Sequence, residues 1–194
     1  MKAKLRKEIL EKRKQLISAE TAEWDKKILE HLKGLFSLEA NSTSGSLTGL
    51  PETVYCYISV RGETGTDLLI DWLLQQGVRV AVPRVSGKEM AFFYINNDSD
   101  LIPGTFGIPE PAPHLTPAVE KCAPVIVPGV AFSSEFGRIG YGAGYYDRFF
   151  EKEPEHMKIA ICYEFQLFKH AEAEAHDVPM DWIITPERIL RRQT

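Results

Sequence analysis

Two kinds of hydrophobic patterning organise the chain. Leu5, Ile9, Leu16 and Ile17 recur at helical spacing and predict a helix over 2–17, with the basic residues falling largely off that stripe. Ser18 then stands as a cap, and Glu20 and Glu23 suit the first turns of a second helix. Trp24, Ile28, Leu32 and Leu35 line its buried side, so N-terminal helices are expected over 2–36. "EANSTSGSLTGLPE" has no periodicity and predicts an exposed, flexible loop over 39–52.

Beyond it the apolar residues fall into short runs typical of strands. "TVYCYISV" (53–60), "VRVAVP" ended by Pro83, "MAFFYI", 124–128 and 158–163 each read as one. A helix capped at Thr66 or Asp67 intervenes, with Leu68, Leu69, Trp72 and Leu73 facing the core and Gly77 stopping it. A second helix is expected over 145–151. "DWIITPERIL" predicts a short strand and then a terminal helix. Strands alternate with helices, and several strands are continuously apolar. The fold class that follows is α/β, a three-layer α/β/α sandwich around a mostly parallel central sheet, in one domain over 1–194. In such folds ligands sit at the carboxyl ends of the strands, so the loops there are where chemistry is expected.

Composition narrows the class. Hydrophobic residues make up 44% and charged residues 26%, as in an ordinary soluble protein, and no apolar run is long enough to cross a bilayer. The basic start lacks the apolar core of a secretory signal. Cys56, Cys122 and Cys162 are odd in number, far apart and outside any CxxC, so neither a disulfide framework nor a zinc site is indicated. The expectation is a cytoplasmic monomer. A net charge of −4 argues against a general nucleic-acid surface. Positive charge is nevertheless concentrated locally, with Lys2, Lys4, Arg6, Lys7, Lys12, Arg13 and Lys14 all near the start.

One stretch carries candidate chemistry. "GRIGYGAGYYDRFF" (137–150) follows an apolar strand and leads into a helix, the setting in which backbone amides bind phosphate. Gly140, Gly142 and Gly144 give G-x-G-x-G, which matches neither the dinucleotide fingerprint nor the Walker pattern. A plain flexible loop would also use such glycines. Arg138 and Arg148 flank them, and Asp147 offers a hard carboxylate to a magnesium ion on bound phosphates.

The run "VPGVAFSSEFGRIGYGAGYYDR", with "KAKLRK", "YISVRGETGT", "VPR", "MAFF", "GTFGIPEP" and "HDVPMDWIIT", resembles the 5-formyltetrahydrofolate cyclo-ligase family over nearly the whole chain. The resemblance implies an enzyme that uses ATP and Mg2+ to turn 5-formyltetrahydrofolate into 5,10-methenyltetrahydrofolate, releasing ADP and phosphate. It implies small-molecule partners only, without nucleic acid or membrane. Lys2, Lys4 and Arg6 would meet ATP phosphates, although sequence alone reads them as a solvated basic face. Arg138, Gly140, Tyr141, Gly142, Ala143, Gly144, Tyr145 and Tyr146 would wrap the nucleotide, and Tyr141 through Tyr145 would also meet the folate. Ile58 and Glu63 match substrate contacts, a glutamate being able to accept from pterin amino and ring N–H groups. Asp147 and Asp177 match metal ligands, with Asp181 a rival for the second place. Arg138, Tyr145 and Arg148 are the candidates for direct catalysis. Tyr57, Met90 and Phe92 would either wall a pterin or fill the core, and Arg84 and Glu110 sit in matching motifs. Ala143 departs from the Gly or Lys common among relatives. The alternatives are a phosphotransferase with another acceptor, or a binding protein without turnover.

Overall fold

The computed structural model describes residues 2–42, 49–170 and 177–193. Four helices occur among them: α1 (Lys2–Lys14), α2 (Ser18–Ser42), α3 (Asp67–Gln75) and α4 (Tyr145–Lys152). Seven of the twelve strands form the central sheet. In chain order these are β1 (Thr53–Tyr55), β2 (Arg79–Ser86), β3 (Glu89–Ile95), β6 (Val125–Val127), β9 (Lys158–Ile161), β11 (Trp182–Ile184) and β12 (Ile189–Arg191). A small pair joins β4 (Leu101–Pro103) to β5 (Pro109–Pro111). A three-stranded sheet joins β7 (Ala131–Ser133), β8 (Arg138–Ile139) and β10 (Leu167–Phe168).

Strand order in the central sheet is β12-β11-β9-β6-β1-β2-β3. The five inner strands pair in parallel, and the two edges, β3 and β12, are antiparallel. Alternation along the strands separates the layers. Val54, Cys56, Val80, Ile126, Ile159 and Ile184 face α2 and α3, packing on Ile28, Leu32, Leu35, Leu69, Ile70 and Leu73. Tyr55, Ala81, Val125, Val127, Ala160 and Ile183 face the other way, onto Phe149 and Phe150 of α4. This is the expected three-layer α/β/α arrangement. Ile9 of α1 lies apart, packed with Val130, Ala131 and Ile139 at the small sheet.

Several local expectations change. The first helix stops at Lys14 and Ile17 is exposed, so the apolar stripe is shorter than its spacing indicates. On α3 it is Ile70, not Leu68, that turns inward. α2 continues through 39–42, because Leu38, Glu39 and Ala40 are good helix formers and no breaker intervenes. Positions 43–48 of the expected loop, and His176, lie outside the described residues. β2 passes through Pro83 to Ser86; β1 pairs it only as far as Ala81, so the missing N–H of Pro83 breaks no ladder bond on that side. The C-terminal segment is strand β12 rather than helix, its register set by Trp182↔Arg191 and Ile184↔Ile189.

From β1 the chain moves outward to β2 and β3; from β6 it moves the other way, to β9 and β11. The order reverses between β1 and β6. That switch point opens a crevice beyond their carboxyl ends, where open α/β sheets bind ligands.

Candidate active site at the strand-order reversal

Both loops that leave the reversal point carry predicted site residues. After β1 the chain passes Ile58 and turns at Glu63. After β6 it runs through Pro128 and Gly129, forms β7 and β8, and enters the glycine loop that starts α4. Gly142 and Gly144 have φ of +104° and +67°, conformations that side-chain-bearing residues rarely adopt. A Cβ on Gly144 would also lie 2.7 Å from Arg148 Nη1. The loop thus delivers the first-turn amides of α4, which have no partners within the helix, to a cleft of about 550 Å³. Gly142, Ala143, Gly144, Asp147, Arg148, Glu151 and Asp177 line it.

α1 lies against this loop. Lys2 Nζ meets Asp177 Oδ2 at 2.7 Å, and Arg6 Nε donates to the Gly140 carbonyl at 2.8 Å. Arg13 Nη1 donates to Tyr141 Oη at 2.6 Å, while Nη2 donates to the Gly129 carbonyl. Steps of four and seven residues put Lys2, Arg6 and Arg13 on one helical face. These three therefore do not form a solvated face, and Arg13 is only 4% exposed. Lys4, half a turn away, is exposed.

Two carboxylates of the cleft, Asp147 and Asp177, are paired with cations. Arg138 Nη2 donates to both oxygens of Asp147, at 2.8 and 2.7 Å, and the Arg138 side chain is 6% exposed. Lys2 partners Asp177. Asp181, the rival, accepts from the Lys158 amide and from Arg192, both at 2.9 Å, and does not line the cleft. Among the described residues no three His, Cys, Asp or Glu side chains gather as a metal cluster. Magnesium needs only one or two protein carboxylates when phosphates and water complete its shell. Asp147 and Asp177, on one cleft, fit that need.

Glu63 sits at the other end of the glycine loop. Its Oε2 accepts from the Val60 amide at 3.0 Å, and its Oε1 accepts from Tyr141 Oη at 2.7 Å. Ile58, half-buried, packs at the edge of the core before this turn. Asp25 of α2 steadies the turn, accepting from the Gly65 amide and from Tyr163 Oη, each at 3.0 Å. Burial raises the Asp25 carboxyl above the usual range. Tyr57 and Phe92 are core residues: Tyr57 Oη donates to the Thr64 carbonyl, and Phe92 stacks on Tyr55 at 4.6 Å.

Tyr145 and Arg148 reach a third place, the β2–β3 turn. Tyr145 Oη donates to the Gly87 carbonyl at 3.0 Å, and Arg148 Nε and Nη2 donate to the Lys88 carbonyl at 3.1 and 2.9 Å. Arg148 also lines the cleft. The Tyr146 hydroxyl is buried with no hydrogen-bond partner among the described residues, and burial raises its pKa, leaving a neutral hydroxyl. Burial also pushes up the Cys56 and Cys162 thiols, so neither is a thiolate nucleophile.

Sequence reasoning passed over Arg13, Asp25 and Glu151. Glu151 follows Asp147 by four on a helix, a spacing that could have been read as a shared face. Arg13 and Asp25 gave no local signal, since their partners are far along the chain.

The chain is similar to several known proteins. The model of the 5-formyltetrahydrofolate cyclo-ligase family matches residues 1–186. A 5-formyltetrahydrofolate cyclo-ligase of Mycolicibacterium smegmatis is 33% identical, over 77% of this chain and 83% of its own. One of Mycoplasma pneumoniae is 30% identical, over 94% of this chain and 97% of its own. Among solved structures, the 5,10-methenyltetrahydrofolate synthetase of Aquifex aeolicus superposes with a TM-score of 0.82 at 30% identity, covering 98% of this chain and 92% of that one. That of Mycoplasma pneumoniae gives 0.73 at 25%, covering 95% and 98%.

Proposed function

The chain belongs to the 5-formyltetrahydrofolate cyclo-ligase family, and on that premise we propose that it converts 5-formyltetrahydrofolate to 5,10-methenyltetrahydrofolate at the cost of one ATP. The observation that carries this reading is that one glycine loop serves two unlike ends. Toward α4 it offers amides, cations and the Asp147 carboxylate; toward β1 it offers Tyr141 bonded to Glu63. The first end suits a polyphosphate and the second a pterin rich in N–H donors.

The chemistry needs no protein nucleophile. The formyl oxygen attacks the γ-phosphorus of ATP and ADP leaves, giving an iminium phosphate. The N10 amine adds to the activated carbon, loses its proton, and phosphate departs with the C–O bond as the ring closes. The protein aligns the reacting atoms and balances charge on the phosphoryl group. Lys2, Arg6 and the loop amides hold the phosphates, with Lys4 adding charge nearby. Arg138 and Arg148 flank the transferring group, and Tyr145 keeps the loop against the β2–β3 turn. Asp147 and Asp177 would hold magnesium, which neutralises phosphate charge when bound. Glu63 and Ile58 place the folate. This reading takes the chain as a cytoplasmic monomer; light scattering on the purified protein checks the second point.

The test mixes protein, 5-formyltetrahydrofolate, ATP and magnesium and follows methenyl absorbance together with ADP. Equal growth of both is expected. ADP without the methenyl product would point to phosphoryl transfer onto another acceptor, and binding without either product to an inert binder.

A further inference from the structure

Arg13 is the most buried cation of the chain's basic start, and the reaction outlined above gives it no task. Its guanidinium can only donate. Nη1 donates to Tyr141 Oη, so that oxygen accepts a hydrogen bond on one side and must direct its own O–H elsewhere. It directs it to Glu63 Oε1 at 2.7 Å. Burial, followed by the Glu63 charge, raises the Tyr141 pKa, so the hydroxyl keeps its proton and remains a donor. The second guanidinium nitrogen is anchored on the Gly129 carbonyl, at the start of the segment that leads to the glycine loop, so Arg13 cannot swing away without losing two bonds. With Oε2 occupied by the Val60 amide, the remaining lone pairs of Glu63 keep fixed directions.

We infer that Arg13 is a positioning residue for the folate: through Tyr141 it orients the Glu63 carboxylate that receives the pterin, so the helix that supplies phosphate-binding cations also sets the pterin acceptor. The inference rests on the function proposed above. It assigns Arg13 no contact with either substrate, and it therefore predicts a split. Folate binding should depend on Arg13, and ATP binding should not.

Calorimetry on the full chain tests this, with 5-formyltetrahydrofolate and a non-hydrolysable ATP analogue titrated separately, and turnover measured on the same samples. Arg13→Lys keeps the charge but cannot reach two acceptors with a rigid fork. It should raise the Kd for 5-formyltetrahydrofolate about tenfold and leave that for the analogue within about twofold. Tyr141→Phe, at an exposed residue, should do the same, and the double variant should be no weaker than either single one, since both cut one chain of bonds. Additive losses, equal losses for both ligands, or unchanged folate binding would overturn the inference. Should Arg13→Lys fail to fold, Arg13→Gln, which keeps a donor without the fork, is put through the same split, and unchanged folate binding again overturns the inference. A wild-type protein that binds the folate without turnover refutes the reaction but not the positioning. One that binds no folate refutes both.

Discussion

The two ends of the glycine loop are built by different means. At the α4 end the central pair is close in sequence: Arg138 pairs with Asp147 across nine positions, Gly144 starts the helix that bears Arg148, and α1 adds Lys2 and Arg6 from afar. At the β1 end they are remote. Tyr141 reaches Glu63 across 78 positions and Arg13 across 128. The α4 end is thus built around a local motif that α1 completes, whereas the β1 end exists only once three segments have folded together. A lesion in the first should act where it is made; a lesion in the second should act through partners.

Four substitutions press on that contrast, in falling order of effect. Asp147→Ala strands the Arg138 guanidinium, which is almost fully covered, and should cost about 3 kcal/mol of stability in chemical denaturation. It should also raise the KM for ATP at limiting magnesium. Full activity there would remove Asp147 from the metal. Glu63→Gln keeps the shape but weakens acceptance, and should raise the KM for folate about tenfold with that for ATP within about twofold. A matching rise in both would dissolve the distinction between the ends. Gly144→Ala forces a Cβ into left-handed backbone and toward Arg148, at a cost of about 1 kcal/mol, with ATP affected before folate. Equal binding of ATP by this variant and wild type would show the loop yielding at no cost.

Asp25→Asn should have the smallest effect, visible only against pH. Burial raises the Asp25 carboxyl, with Asp67 adding to it, so its folded pKa lies above the unfolded one. A group so raised favours the fold fully below its unfolded pKa of about 3.9, and that contribution is lost as pH rises through the folded value. Asparagine does not ionise. Relative to wild type, the variant should therefore gain stability from pH 4 to pH 7 in urea denaturation, and a flat difference would mean that Asp25 titrates normally.

The same contrast explains what the sequence made legible. The sheet and its layers were readable because strands covered on both faces are continuously apolar, as at Val54, Tyr55 and Cys56. The glycine loop was readable because its residues are neighbours. Arg13 was not, since nothing local separates a buried arginine from the solvated Lys12 and Lys14 beside it. β12 was misread for a related reason: "RIL" fits a helix or a strand equally, and pairing with β11 decides. The loop expected from 39 erred the other way over 39–42, where a polar composition masked a continuing helix.

The contacts from Tyr145 and Arg148 to the β2–β3 turn end on main-chain oxygens of Gly87 and Lys88. Such a grip is indifferent to the side chain on the gripped residue. Lys88 is exposed, so a cysteine there could carry a fluorophore without disturbing either contact. Once the exposed Cys122 is replaced, the turn thereby offers an attachment point for a reporter beside the glycine loop that leaves every proposed binding residue in place.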